Sequence, residues 1–332
     1  IMSQLTPIPT DSIRIGLVPP DDCSGLESSS NPVLCQSVDV LRSLVDDPFL
    51  QGKIAAEHAL SDLFAMNARP HSAQAIVSIP FADELVVKND LQQLMAGAVE
   101  ALNKHGCTLI GGHTSESAEL SVGFCVNGFA DRSAIARKSK PNSGEVLILT
   151  KPLGTGTLFA AHNQLEAKGA WIDRAIKSML LSNSSAAKIF AAFGASAITD
   201  VTGFGLIGHL REMISSPALN AEIHLTKLPA LDGAIECISR GLVSSLHSEN
   251  RKYQRLLQYR QGTAEHPGVE LIFDPQTSGG LIATVAKDRA QQCIRALRES
   301  GYGEAQVVGR VFASVDSTDG CRDGKIDLTL TP

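Results

Sequence analysis

Ala197-Ile198-Thr199-Asp200-Val201-Thr202-Gly203-Phe204-Gly205-Leu206-Ile207-Gly208-His209 is the stretch on which the reading of this chain turns. From Ala197 to Thr202 it has the apolar, β-branched make-up of a buried strand. The glycines that follow break the strand, and a helix is expected near Gly203 to Ile214. Asp200 is left at the junction between the two.

Strand, turn and helix alternate on both sides of that junction. Upstream, Asp47-Pro48 reads as an N-cap followed by a proline at the first helical position. The helix it opens places Ala55, Ala59, Leu60, Leu63 and Phe64 on one apolar face and ends over 67–70. Ala73 to Ile79 reads as a strand. A second helix carries Leu91, Leu94, Met95, Ala98 and Leu102 on one stripe, with Gly106 at its C-terminus. Cys107 to Ile110 is a short strand that breaks into a Gly111-Gly112 turn, and Ser121 to Phe129 is a further strand. Beyond it come a strand at Glu145 to Thr150 and helix over most of Ile172 to Phe193. Last are a strand at Val269 to Phe273, a helix from Lys287 to Ser300 and a strand at Val307 to Val311.

The class is α+β with mixed sheets. A polar stretch over 131–144, holding Arg137, Lys138, Lys140, Pro141 and Gly144, marks a boundary. Two domains are expected, 1–142 and 143–332, as 332 residues is long for one core. Neither a G-x-G-x-x-G after a first strand nor a G-x-x-x-x-G-K-[ST] occurs, so Rossmann and P-loop chemistry are not signalled.

The formal charge of −6 argues against a nucleic-acid surface, which must displace counterions with basic side chains. It leaves room for a nucleotide, because bound cations reverse the local sign of a carboxylate site. The seven cysteines are scattered and never form a C-x-x-C pair. A disulfide framework or a zinc site is therefore not expected, and a reducing, cytoplasmic compartment fits. No uncharged apolar run approaches the ~18 residues of a membrane span, and the first residues do not read as a signal peptide. Ile1 ahead of Met2 reads either as an added residue or as a chain whose true beginning is absent.

Aspartates in distinctive settings are the candidates for chemistry. Asp21-Asp22 follows Pro19-Pro20, Asp39 ends the run from Leu34, and Asp62 sits beside the apolar face of its helix. Hard oxygen ligands without Cys or His suit magnesium, which uses one or two carboxylates plus water and phosphate oxygens. Taken singly, each aspartate reads first as a cap or turn residue. Gly112-His113-Thr114 offers backbone N–H groups and a hydroxyl to a phosphate or ribose, but taken alone reads first as a plain tight turn. Thr150 to Gly156 and Asp274 to Leu281 are two more glycine turns, and Lys151 reads as a solvated surface lysine. His58 and His209 read as structural.

In their order along the chain, these blocks resemble the selenophosphate synthetases (selenide, water dikinases), of the superfamily that includes aminoimidazole ribonucleotide synthetase. The string from Thr199 to His209, followed by Asp274-Pro275-Gln276-Thr277-Ser278-Gly279-Gly280-Leu281, carries most of that resemblance. It implies a two-domain aminoimidazole ribonucleotide synthetase-like fold whose N-terminal domains form a dimeric β-barrel. It implies Mg2+ on Asp22, Asp62 and Asp200. ATP is implied beside Pro20, Asp21, Asp39, Asp62, Gly112, His113 and Thr114. The implied reaction turns selenide, ATP and water into selenophosphate, AMP and orthophosphate, in a homodimer. The family's reactive Cys or selenocysteine, and the Lys three positions later, are expected upstream of Ile1, where some members carry a fused oxidoreductase domain. Cys23 and Cys35 follow the aspartate pair and are not assigned that role. Two rivals stay open: another ATP-dependent enzyme of the superfamily, and a non-catalytic ATP-binding homologue that regulates or scaffolds.

Overall fold

The computed structural model describes residues 13–15, 21–27, 32–139, 141–215, 218–314 and 324–330. The chain parts into two compact units, Ile1–Ile135 and Ala136–Pro332.

The first unit runs β1 (Ile13–Ile15), β2 (Ser24–Leu26), β3 (Val33–Arg42), α1 (Pro48–Ala65), β4 (Arg69–Pro80), α2 (Glu84–Lys104), β5 (Thr108–Ser117) and β6 (Ser121–Ala130). Its sheet has the order β1-β2-β3-β6-β4-β5 and is open at both edges among the described residues. Among the described residues of this sheet, only β4 and β5 pair in parallel. Parallel neighbours need a crossover, and α2 supplies it. Asp47 caps α1 by accepting from the Leu50 N–H at 3.0 Å, and Pro48 occupies the first turn, where no N–H is needed. Gly106, at φ +66°, follows the C-cap of α2 in the left-handed conformation that stops helices. The two helices touch backbone to backbone. A Cβ on Gly52 would lie 2.0 Å from the Leu94 carbonyl oxygen, and one on Gly97 would lie 1.9 Å from that of Phe49.

The second unit runs β7 (Val146–Leu149), α3 (Thr155–Asn163), α4 (Gly169–Leu180), α5 (Ser184–Ala192), β8 (Ala197–Asp200), α6 (Gly205–Met213) and β9 (Leu219–His224). It continues with α7 (Ala234–Ser239), α8 (Ser245–Asn250), β10 (Leu257–Tyr259), α9 (Gly268–Leu271), β11 (Leu281–Val285), α10 (Ala290–Glu299), β12 (Gln306–Ala313) and β13 (Ile326–Thr329). The sheet order is β10-β13-β9-β12-β7-β11-β8, parallel at one end and antiparallel from β9 onward. Strands β7, β8 and β11 are buried along their whole length, which is why they read as unbroken apolar runs.

Four sequence expectations need correction. Gly111-Gly112 is not a turn: β5 continues through it to Ser117, with Ile110 as the extra residue of an irregularity in the pairing with β4. A Cβ on Gly112 would sit 2.3 Å from the Ala75 carbonyl oxygen, so glycine serves a close strand approach there. Asp39 lies inside β3 rather than at its end. Val269 to Phe273 is not a strand: Val269 to Leu271 belong to α9, Ile272 is its C-cap and Phe273 lies in the turn beyond, with Pro267 at the N-cap and the His266 ring accepting from the Gly268 N–H at 3.1 Å. Lys151 is buried, at 1% exposure, with its ammonium on the Ser278 carbonyl at 2.9 Å.

Candidate functional site

In the first unit the polar candidates collect on the sheet face turned toward α1. One row of paired residues crosses four strands, from Asp39 to Phe124, Ala75 and Gly112. Directly paired residues share a face, so Asp39 and Gly112 look the same way across three strand spacings, about 14 Å. Thr114, two residues on, keeps that side. His113 does not: its row is Val40, Gly123, Ile76 and His113, on the opposite face. That opposite face exposes Val38 at 57%, Val40 at 50% and Ile76 at 38%.

Ser37 stands two residues from Asp39 on β3, hence on the same side, and its hydroxyl donates to Asp62 Oδ2 on α1. This hydrogen bond orients the Asp62 carboxylate and offsets part of the cost of setting a charge against an apolar helix face. The sequence held one signal for Ser37, its i, i+2 spacing from Asp39. Asp21 and Asp22 precede β2, and the Asp22 N–H donates to Asp21 Oδ1 at 3.1 Å. The antiparallel register, Ser24 opposite Gln36 and Leu26 opposite Leu34, puts Asp22 off the end of β2 that points toward Ser37 and Asp39. Pro20 lies outside the described residues.

In the second unit, Asp200 ends β8 at 2% exposure, and its Oδ2 is buried without a hydrogen-bond partner. His209, from α6, turns back on the same junction and accepts the Thr202 N–H through Nε2 at 3.0 Å. Nε2 accepts, so Nδ1 carries the ring proton. Burial drives the His209 pKa down to about 4 against the upward pull of the Asp200 carboxylate, which keeps the ring neutral. Gly205 makes the junction tight: at φ +66°, its Cβ would meet the Ile272 carbonyl oxygen at 2.8 Å.

The three glycine-rich blocks are bonded to one another. Gln276 is the hub, accepting from the N–H groups of Gly154 and Thr155 at 3.0 and 3.2 Å and donating to Asp274 Oδ2 at 2.9 Å. The Gln276 N–H reaches the Thr202 carbonyl at 2.9 Å, and the Val201 N–H reaches that of Gly280 at 2.8 Å. Thr157 donates to Asp274 Oδ1 at 2.8 Å. Burial still pushes the Asp274 carboxyl up to about 7, against the downward pull of those hydrogen bonds. This network scaffolds the Asp200 junction, and no periodicity in the sequence announces it.

Among the described residues, no three of His, Cys, Asp and Glu stand close enough together to hold a metal ion by themselves. A hard divalent cation completed by water and phosphate needs only one or two carboxylates from the protein. The chemistry present fits such an ion: the donors are oxygens, and the bare, buried Asp200 Oδ2 is an acceptor that a cation would satisfy. Cys23 and Cys35 are buried at 2% and 0% exposure. Burial pushes the Cys35 thiol up to about 11, the setting of an inert rather than a nucleophilic sulfur. No helix among the described residues is long and apolar enough to cross a membrane.

Residues 20–130 match the family described as AIR synthase related protein, N-terminal domain, and residues 142–319 its C-terminal domain. Solved structures agree on the fold. A hydrogenase maturation protein HypE superposes with TM-score 0.70 at 16% identity, covering 92% of this chain and 88% of its own. The thiamine-monophosphate kinase of Stenotrophomonas maltophilia gives 0.67 at 20%, covering 97% and 92%. Fold and site thus define an AIR synthase related protein of two domains. Within that class the relatives are specific. A selenide, water dikinase of Pelobacter propionicus is 35% identical, covering 92% of this chain and 87% of that protein. One from Geobacter metallireducens is 38% identical, covering 90% and 86%. The chain belongs to the selenide, water dikinase family.

Proposed function

We propose that the chain carries out its family's reaction, ATP-dependent synthesis of selenophosphate from selenide with release of AMP and orthophosphate, through the aspartates described above. Asp22, Asp62 and Asp200 hold Mg2+. Asp21, Asp39, Asp62, Gly112, His113 and Thr114, with Pro20, line the nucleotide. The observation that carries the metal assignment is the buried Asp200 Oδ2, which has no hydrogen-bond partner and whose charge a cation would balance.

Magnesium, when bound, neutralises polyphosphate charge that would otherwise repel an anionic selenide. The chain's own work is positioning. Ser37 fixes the Asp62 carboxylate. The neutral His209 ring holds the turn at Thr202 without placing a second cation beside Asp200. Gly112 lets β5 approach β4 closely, and the exposed edge strand that carries it presents its outer backbone to the ligand. Replacing Asp62 with Ala is expected to lower magnesium-dependent, selenide-stimulated AMP release by at least about a hundredfold, the upper end of what losing even an outer-shell partner of a metal costs. Unchanged AMP release would remove Asp62 from the site.

The same reading makes the protein a homodimer in which the open sheets of two N-terminal units close into one barrel. Support comes from the exposed apolar face of β3 and β4, with Val38, Val40 and Ile76, which a second copy would cover. His113 lies on that face and would approach the nucleotide from the dimer side.

A further inference from the structure

A cavity of about 340 Å³ opens in the second unit and is lined by residues that none of the roles above uses. Arg174, Lys177, Ser178 and Leu181 line one wall. They are spaced i, i+3, i+4 and i+7, a single helical face of α4 and its C-terminal residue. Lys151, at the end of β7, lines another, and Tyr302 and Glu304, beyond α10, close the third.

Three cations and one carboxylate make this wall set positive in a chain whose formal charge is −6. Lys151 is 1% exposed and donates to the Ser278 carbonyl, so it stands as a bonded cation in the wall behind Arg174 and Lys177. Ser278 holds a left-handed backbone at φ +46°, uncommon for a non-glycine residue. Arg174 pairs with Glu304, N to O 2.5 Å, and both lining side chains are part-exposed at 50% and 39%. An exposed ion pair of this kind contributes little to stability, so an incoming anion displaces Glu304 at little cost. Tyr302 adds a rigid apolar wall, its hydroxyl committed to the Ser182 carbonyl at 2.6 Å and the Ala186 N–H at 3.0 Å. The volume is at the small end of small-molecule sites, which run from about 300 to 1,000 Å³. It holds the equivalent of about eleven waters, which suits a phosphate group with a short substituent.

We propose that this cavity is an anion site for orthophosphate or a small phosphate monoester, gripped by Arg174 and Lys177 with Lys151 behind them. The inference does not depend on the reaction assigned to the protein. Calorimetric titration of the full chain with inorganic phosphate and with glycerol 3-phosphate tests it. Saturable binding is expected, weakened about tenfold or more by Lys177→Ala, the scale of one charged hydrogen bond. Lys177→Arg should restore it. Glu304→Gln, which releases Arg174, should tighten binding several-fold, while Lys188→Ala, an exposed lysine on α5, should change nothing. Equal affinities would assign the site to orthophosphate, and tighter binding of the ester to a monoester. Affinities that do not move with Lys177→Ala and Glu304→Gln, or no saturable binding by the unmodified chain, would overturn the proposal. Both positions are part or fully exposed, and retention of the parent melting temperature by each variant separates lost binding from lost folding.

Discussion

Asp274 is a carboxylic acid held in the interior by Thr157 and Gln276, with a pKa raised to about 7 by burial. The unfolded chain releases this proton near the ordinary aspartate value of about 3.9. Between those two values the folded state binds the extra proton. The stabilisation from this group is therefore complete below the unfolded pKa and is lost as pH rises through about 7. The whole effect is on the order of 4 kcal/mol. His209, lowered to about 4, has the opposite slope over part of that window, so the two must be separated by substitution. Asp274→Asn removes the titration while keeping one acceptor oxygen for Thr157. Urea denaturation between pH 4.5 and 7.5 should show the parent losing stability relative to this variant as pH rises, and parallel curves would contradict the raised pKa. At this scale the sequence displayed the aspartates but not their partners. Ser37 with Asp62, and Lys151 with Ser278, are pairs 25 and 127 residues apart in the chain, beyond any local pattern.

Helices α1 and α2 meet through Gly52 and Gly97, each with its would-be Cβ within 2.0 Å of a carbonyl oxygen on the other helix. Interior helical glycines cost about 1 kcal/mol each relative to alanine, and here close contact of the two backbones offsets that cost. Gly52→Ala should destabilise the protein by a net 1–3 kcal/mol or so, because overpacking outweighs the gain in propensity. A fall in the urea midpoint with helix content unchanged would show it, and a rise would mean the helices slide apart freely. Elements with their own punctuation were legible in the sequence. Asp47-Pro48 opens α1, Gly106 closes α2, and Leu94, Ala98 and Leu102 mark the buried stripe between them. Elements decided by their neighbours were not. Val269 to Phe273 is too short an apolar run to tell strand from helix, and Gly111-Gly112 looks like a turn until β4 is seen beside it.

For the molecule as a whole, the exposed valines of β3 give the dimer its test. Val38→Lys with Val40→Lys places two charges on the face assigned to the second copy, 57% and 50% exposed here, so the isolated unit has little reason to unfold. Sedimentation should show the parent at twice the chain mass and the double variant at one chain mass, with the same circular dichroism. A double variant that stays dimeric would move the interface elsewhere.

The bonding of residues 150–157, 200–202 and 274–281 also bears on how the second unit comes to be made. Strand β7 emerges from the ribosome early, but its neighbour β11 and the Gln276 side chain arrive more than a hundred residues later. Until then Thr150, Gly154 and Thr155 have no acceptors or donors to meet, and closing so long a loop is slow. The second unit therefore cannot complete this network until residues 274–281 have been made, long after the last residue of the first unit.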